Sequence, residues 1–171
     1  RQLDMLADLG RAMGNGGGSL WLMRNGYLLP RPGGLARIAE RIAADPEAMA
    51  RLVRVGVQQG TEVTLPGAGH RVHQVYASAL PIAYADYPAQ EWEPFARLVL
   101  AAAYRATFAA AVALGARRLF LTRLGGGAFG NPAGWITDAM AGAIRAWRAE
   151  ALDVRIVSHG APNPDNLALL R

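Results

Sequence analysis

The sequence predicts an α/β domain built on a parallel sheet with helices on both faces. Three observations predict it. An apolar strand, Arg118 to Thr122, leads into a glycine-rich loop, Gly125 to Asn131. A helix follows from about Pro132 to Glu150, and a strand from Val154 to Ser158 closes the unit. That order is a parallel β-loop-α-β unit, whose strands need cover on both faces.

The 171 residues suffice for one domain with a proper core and are too few for two ordinary ones. Apolar residues make up 52% and charged ones 18%, a globular balance and not a disordered one. The first residue is Arg1 and not Met, so the chain reads as a fragment or processed piece of a longer one. Cysteine is absent, which excludes disulfides, thiolate nucleophiles and cysteine zinc sites, and fits a cytoplasmic protein. No signal peptide is evident, and the longest apolar stretch, Leu98 to Gly115, is interrupted by Tyr104, Arg105 and Thr107, so no membrane span is expected. The net charge is +5 and every basic residue is arginine. Arginine's fork suits phosphate and carboxylate; a general bias toward Arg, Ala, Gly and Pro explains the same count. The arginines are scattered without an aromatic stripe, so nucleic-acid binding is not expected.

Along the chain, Gln2 to Met13 has the apolar spacing of a short helix, halted by Gly14 to Ser19. Leu20 to Leu29 reads as a strand or an ordered loop carrying Asn25-Gly26-Tyr27. Leu35 to Ala44 and Glu47 to Val57 read as helices, the second opened by Asp45-Pro46 as N-cap and first turn. Gly60 to Gly69 reads as a turn-rich connection. Arg71 to Tyr84 reads as a strand that Pro81 should end. Trp92 to Leu114 reads as a long helix capped by Gly115. The whole is one domain, 1–171, with a helical part at 1–70 and a βαβαβ part at 71–171.

The loop Gly125-Gly-Gly-Ala-Phe-Gly-Asn131 lies after a strand's carboxyl end and before a helix, where ligands bind in open parallel sheets. Its glycines let a ligand approach the backbone, and the helix adds its positive end, so a diphosphate suits it best. A glycine-rich turn without a ligand is the alternative. No Gly-Lys-Ser/Thr follows, so this is not a Walker loop. It also lacks the dinucleotide fingerprint in its usual first-turn position.

Leu124-Gly-Gly-Gly-Ala-Phe-Gly-Asn131 resembles the diphosphate-binding loop of macrodomains, closest to the Gly-x-Gly-Ala-Phe-Gly form of poly(ADP-ribose) glycohydrolases. Val75 to Tyr84 and Trp92 to Arg97 are similar to a macrodomain branch that includes bacterial effectors removing ADP-ribose from arginine. The resemblance covers roughly residues 72–160. It implies a three-layer α/β/α sandwich with a mixed, mostly parallel sheet and ADP-ribose across the strand ends. Gly125, Gly126, Gly127, Ala128, Phe129, Gly130 and Asn131 would then wrap the diphosphate, with Phe129 against the distal ribose. Read alone, Phe129 is equally a core anchor of the loop. The implied activity is hydrolysis of ADP-ribose from a modified protein side chain, arginine favoured, with no cofactor or metal required. It also admits a secreted effector delivered to a host cell. The alternatives are a reader that binds ADP-ribose without turnover and a Rossmann-like enzyme using intact NAD.

Cleaving a glycosidic bond to ribose needs a carboxylate near the anomeric carbon. The densest acidic cluster beside an expected strand end is Asp86, Glu91 and Glu93. Asp86 follows the expected strand; Glu91 and Glu93 open the long helix, where acids also simply complement the helix dipole. Polyglycohydrolases follow a Gly-Gly-Gly loop with paired glutamates, which Gly16-Gly-Gly-Ser-Leu-Trp21 lacks. That loop reads either as a linker or as a second ligand loop, with Asn15 or Asn25 touching ribose. Asp138 reads as exposed, and Asp153 as a turn residue. His70, His73 and His159 form no set, and no serine sits in a nucleophile elbow. Trp92, Trp135 and Trp147 read as packing residues. Tyr84 or Tyr87 is the expected partner of the adenine.

Overall fold

The computed structural model describes residues 3–167 and 169. It is a mixed α/β fold whose strands pair only in twos. Strand β1 (Trp21–Arg24) pairs antiparallel with β2 (Tyr27–Pro30), β3 (Gly56–Glu62) pairs antiparallel with β4 (Arg71–Tyr76), and β5 (Arg118–Leu121) pairs parallel with β6 (Asp153–Ile156). Between them run α1 (Ala7–Ala12), α2 (Gly34–Ala44), α3 (Pro46–Ala50), a 3₁₀ turn (Ile82–Tyr84), α4 (Ala89–Ala113), α5 (Ala133–Ala146) and α6 (Pro164–Leu167).

The expected β5-loop-α5-β6 unit is present and parallel, with Leu119 beside Val154 and Leu121 beside Ile156. Leu119 and Leu121 point into the core, whereas Phe120 on the opposite face is 58% exposed. Helices therefore cover one face of this sheet among the described residues. Helix α4 carries the core. Trp92, Phe95, Leu100, Tyr104 and Phe108 are almost fully buried along it, and α5 contributes Ile136 and Met140. It starts earlier than expected, at Ala89, and ends where expected. Gly115, at φ +66°, reverses the chain so that the N–H groups of Gly115 and Ala116 reach the Val112 and Ala111 carbonyls. Contrary to expectation, this helix is long and apolar enough to cross a membrane, with mean hydropathy 1.4 over an 18-residue window. More than half of that window is buried inside the fold, as in a core helix.

Several boundaries differ from the sequence reading. Helix α1 begins only at Ala7, because the Asp4 carboxylate accepts from the Leu6 N–H and holds a turn in front of it. Leu20 to Leu29 is resolved as a hairpin. Asn25 (φ +52°) and Gly26 (φ +83°) form the two-residue turn that matches strand twist. Asp45 caps α3 through the Ala48 N–H as expected, but α3 stops at Ala50. Val57, assigned to that helix, lies in β3, and so does Gly60, assigned to the connection. Val53, Val55 and Val57 repeat at period two, the strand period, and β-branched side chains favour it. Strand β4 ends at Tyr76 and not near Pro81, and its neighbour is β3, so it does not extend the parallel pair. Helix α5 and strand β6 are each shorter than expected.

Candidate functional site

The glycine loop is held at both ends. At its start the buried Tyr104 hydroxyl donates to the Thr122 carbonyl at 2.8 Å and accepts from the Leu124 N–H at 2.9 Å. Burial pushes the Tyr104 hydroxyl up to about 12, against a smaller lowering by its bond to Leu124 and by Arg123 nearby. It therefore stays protonated and able to donate. Arg123 turns inward: its guanidinium donates to the Ala133 carbonyl at 2.9 Å and to Thr137 Oγ1 at 3.1 Å, tying the loop to the first turns of α5. At the loop's end the Asn131 side chain is buried. Its Nδ2 donates to the Leu80 carbonyl at 2.9 Å, and the Asn131 N–H donates to the Gly125 carbonyl at 3.0 Å. Asn131 is thus a brace beneath the loop, where the sequence reading made it a ligand contact.

Gly125 is the position that only glycine fits. Its φ is +74°, and an added Cβ would lie 2.4 Å from Ala79 Cβ and 2.6 Å from Asn131 Nδ2. Gly127 is the opposite case, with open space around a built Cβ. Among the described residues the N–H groups of Gly125, Gly127, Ala128 and Phe129 make no hydrogen bond within the chain. Gly126 donates weakly to Arg123 at 3.5 Å and Gly130 to Gly127 at 3.0 Å. Gly127 and Ala128 are solvent-exposed. Successive unpaired N–H groups on an exposed glycine loop can receive the oxygens of an anion.

Phe129 serves as the loop's anchor. Its carbonyl accepts from the Ala83 N–H at 3.1 Å, and its ring meets Tyr84 at 5.5 Å and Tyr27 at 6.0 Å, edge to face. Tyr27 and Tyr84 are 5.0 Å apart and both remain about two-fifths exposed. This aromatic triad binds three separate elements and presents ring surface beside the loop. Sequence reasoning named Tyr84 and Phe129 but missed Tyr27. The Asn25-Gly26 turn that delivers it was the available signal. Tyr87 is half-buried against the core.

Beside Phe129 opens a cavity of about 430 Å3, between the β1–β2 hairpin, the Leu3–Leu6 segment and Ala77–Pro81. Asp4 is its lining acid, and that carboxylate already caps Leu6. Arg54 is its lining base, bonded through Nε to Asp8 at 2.7 Å. That bond holds the Asp8 carboxyl below its ordinary value against a smaller opposing effect of burial, with a lesser contribution from Arg11.

The three acids are not gathered as expected. Asp86 does not follow a strand: Ala77–Ala85, including the 3₁₀ turn, intervene, and Asp86 is exposed in the turn before α4. Phe129 docks on the 3₁₀ turn just before it, through the Ala83 N–H and the Tyr84 ring. Glu91 is exposed in the first turn of α4, the position a dipole-complementing acid takes. Glu93 is committed to Arg97 at 2.7 Å, and Arg97 also pairs with Asp138 at 2.8 Å and lies over the Trp135 ring at 5.6 Å. These two carboxylates hold the Arg97 guanidinium above its ordinary value, Asp138 first. Asp153 bridges Arg155 and Arg118, in that order of influence, which lowers its carboxyl.

The Gly14 to Ser19 loop is ordered by Asn15, whose Oδ1 accepts from the Leu20 and Trp21 N–H groups and whose Nδ2 donates to the Trp21 carbonyl. Asn15 is therefore internal, while Asn25 lines the cavity. Among the described residues no group of His, Asp and Glu is placed to hold a metal. Compared with protein-family models, curated proteins and solved structures, the chain gives no match.

Proposed function

We propose that this domain binds ADP-ribose in the manner of a macrodomain and hydrolyses it from a modified protein side chain, arginine being the favoured acceptor. One observation carries the binding half: four N–H groups of the Gly125 to Phe129 backbone have no partner within the chain on an exposed loop. A diphosphate supplies oxygens for such groups, and the Tyr27–Tyr84–Phe129 rings beside the loop offer surface to ribose or base. The frame proposed for such a ligand is a three-layer sandwich; the two-stranded parallel β5–β6 pair and the helices α4 and α5 support it only as far as a mixed α/β fold.

The hydrolytic half falls to Asp86. The 3₁₀ turn just before it docks against the loop through Ala83 and Phe129, and Asp86 forms no ion pair among the described residues. Its carboxylate would orient a ribose hydroxyl and the attacking water, with the guanidine leaving from the anomeric carbon. Glu91 is the second candidate. Glu93, spent on Arg97, is the weakest.

A reader without turnover is the second reading. It is favoured by the cavity beside Phe129, whose lining acid, Asp4, is occupied as a cap. Calorimetry with ADP-ribose and NAD, followed by a release assay on ADP-ribosylated arginine peptide, tests both halves. Binding and release by the parent, with Asp86→Ala binding but not releasing, support the hydrolase. Binding without release by the parent supports the reader. Preference for NAD, or no binding of either, sinks the proposal.

A further inference from the structure

The two sheets carrying β4 and β5 face one another across an open slot of about 540 Å3, floored by Ala111 of α4 and by Leu114 just after it. Both walls are strand edges with unused backbone. The carbonyls of Arg117 and Leu121 accept from Asp153 and Val157 on the β6 side. Backbone groups alternate along a strand, so those of Arg118 and Phe120 point away from β6 into the slot. The His70 carbonyl accepts from Val63 on the β3 side. By the same alternation Arg71, His73 and Val75 turn their backbone groups to the slot. The β3–β4 hairpin has no buried residue, which is a poor arrangement for a two-stranded sheet in water.

We propose that this slot receives one extended strand of a partner protein, hydrogen-bonded to β4 on one side and β5 on the other. Such a strand would fuse the two pairs into a single five-stranded sheet and remove two open edges. Charge specifies its chemistry. The lining includes His70, Arg71, His73 and Arg118 and no carboxylate. Arg118 is already paired with Asp153 at 2.9 Å, whereas Arg71 donates to the Gly60 carbonyl at 3.2 Å and forms no ion pair among the described residues. The occupant therefore alternates apolar residues, which pack on the α4 floor, with aspartate or glutamate facing the arginine. A second copy of this chain fits less well, since it carries a net +5 and the same basic edges. The inference rests on the strand edges and stands apart from the function proposed for the glycine loop.

The test uses a short fluorescent peptide alternating valine and glutamate, and its valine–lysine counterpart, with the full 171-residue chain. Expected are saturable anisotropy for the acidic peptide, binding at least about tenfold weaker for the basic one, and slowed amide exchange at His73, Val75, Arg118 and Phe120. Phe120→Pro removes a donor from the edge and should weaken binding by about tenfold or more. Arg71→Glu, on an exposed side chain that leaves the fold intact, should reverse the preference between peptides. Absence of binding by either peptide overturns the proposal. So does binding without protection of those amides, or their protection in the free monomer. Protection that accompanies dimerisation in light scattering also overturns it, because the occupant is then a second copy.

Discussion

Gly125 and Gly127 stand two residues apart in one loop, and their surroundings are opposite. At Gly125 an alanine is strained twice. A left-handed φ costs a non-glycine residue about 1–2 kcal/mol. The built Cβ also lies 2.4 Å from Ala79 Cβ and 2.6 Å from Asn131 Nδ2. Overpacking of this kind costs about 1–3 kcal/mol, so Gly125→Ala should destabilise the fold by roughly 2–5 kcal/mol. For a chain of this size that lowers Tm by roughly 5–20 °C. Gly127 has no heavy atom within 4 Å of a built Cβ, so Gly127→Val should keep stability within about 0.5 kcal/mol of the parent. Its side chain would instead occupy the space through which a diphosphate reaches the Gly127 and Ala128 N–H groups. Differential scanning calorimetry and ADP-ribose titration of both variants separate the roles. Gly125→Ala melting with the parent refutes the packing argument. Gly127→Val, folded and binding ADP-ribose like the parent, refutes the loop as the diphosphate site.

Three further outcomes follow from the same geometry. Tyr104 is held protonated up to about 12 by burial, while an unfolded tyrosine titrates near 10. Between those values the unfolded state holds fewer protons, so stability is full below pH 10 and falls above it by about 1.4 kcal/mol per pH unit, a slope that Tyr104→Phe should abolish in pH-dependent melting. The absence of lysine leaves few other groups to confuse that window; an unchanged slope in the variant would assign it elsewhere. Arg123→Met should lose roughly 1–3 kcal/mol in denaturant unfolding, because it removes the bonds of a largely buried guanidinium to Ala133 and Thr137, which keep only each other. Arg123→Lys should restore only part, lacking the fork, and equal stability of the Met variant would remove the brace. Asp86→Asn should abolish release of ADP-ribose with affinity retained, whereas Glu93→Gln should alter stability by no more than about 0.5 kcal/mol and leave release intact. Loss of release in Glu93→Gln alone would exchange their roles.

What the sequence disclosed was what local rules decide. Helix α4 was legible because its apolar positions and Gly115 act within a few residues of one another. The β5-loop-α5-β6 unit was legible for the same reason, since strand, glycines and Pro132 punctuate it in order. Asp45 as a cap needed only three residues of context. The failures lie where partners are distant. Nothing near Val57 announced that its neighbour would be Val75, so a period-two valine series was absorbed into a helix. Arg71 to Tyr84 has the composition of one strand, which predicts Asp86 beside a strand end. Its true end at Tyr76 moved the acid into a helix-leading turn.

Tyr104 shows why the candidate site in particular was only half legible. In the sequence it is a polar interruption in an alanine-rich helix, and its spacing from Thr122 and Leu124 carries no signal. In the fold its hydroxyl fixes both flanks of the turn into the glycine loop. Its ring also lies among the residues lining the slot beside β5. The loop's glycines grant it freedom to take many shapes, and freedom alone binds nothing tightly, because ordering a loop costs conformational entropy. Tyr104 and Asn131 meet that cost within the folded chain, through hydrogen bonds to the backbone of the loop and its flanks. A glycine-rich loop is therefore recognisable from its residues, while the order of its backbone also depends on Tyr104, a side chain distant in sequence.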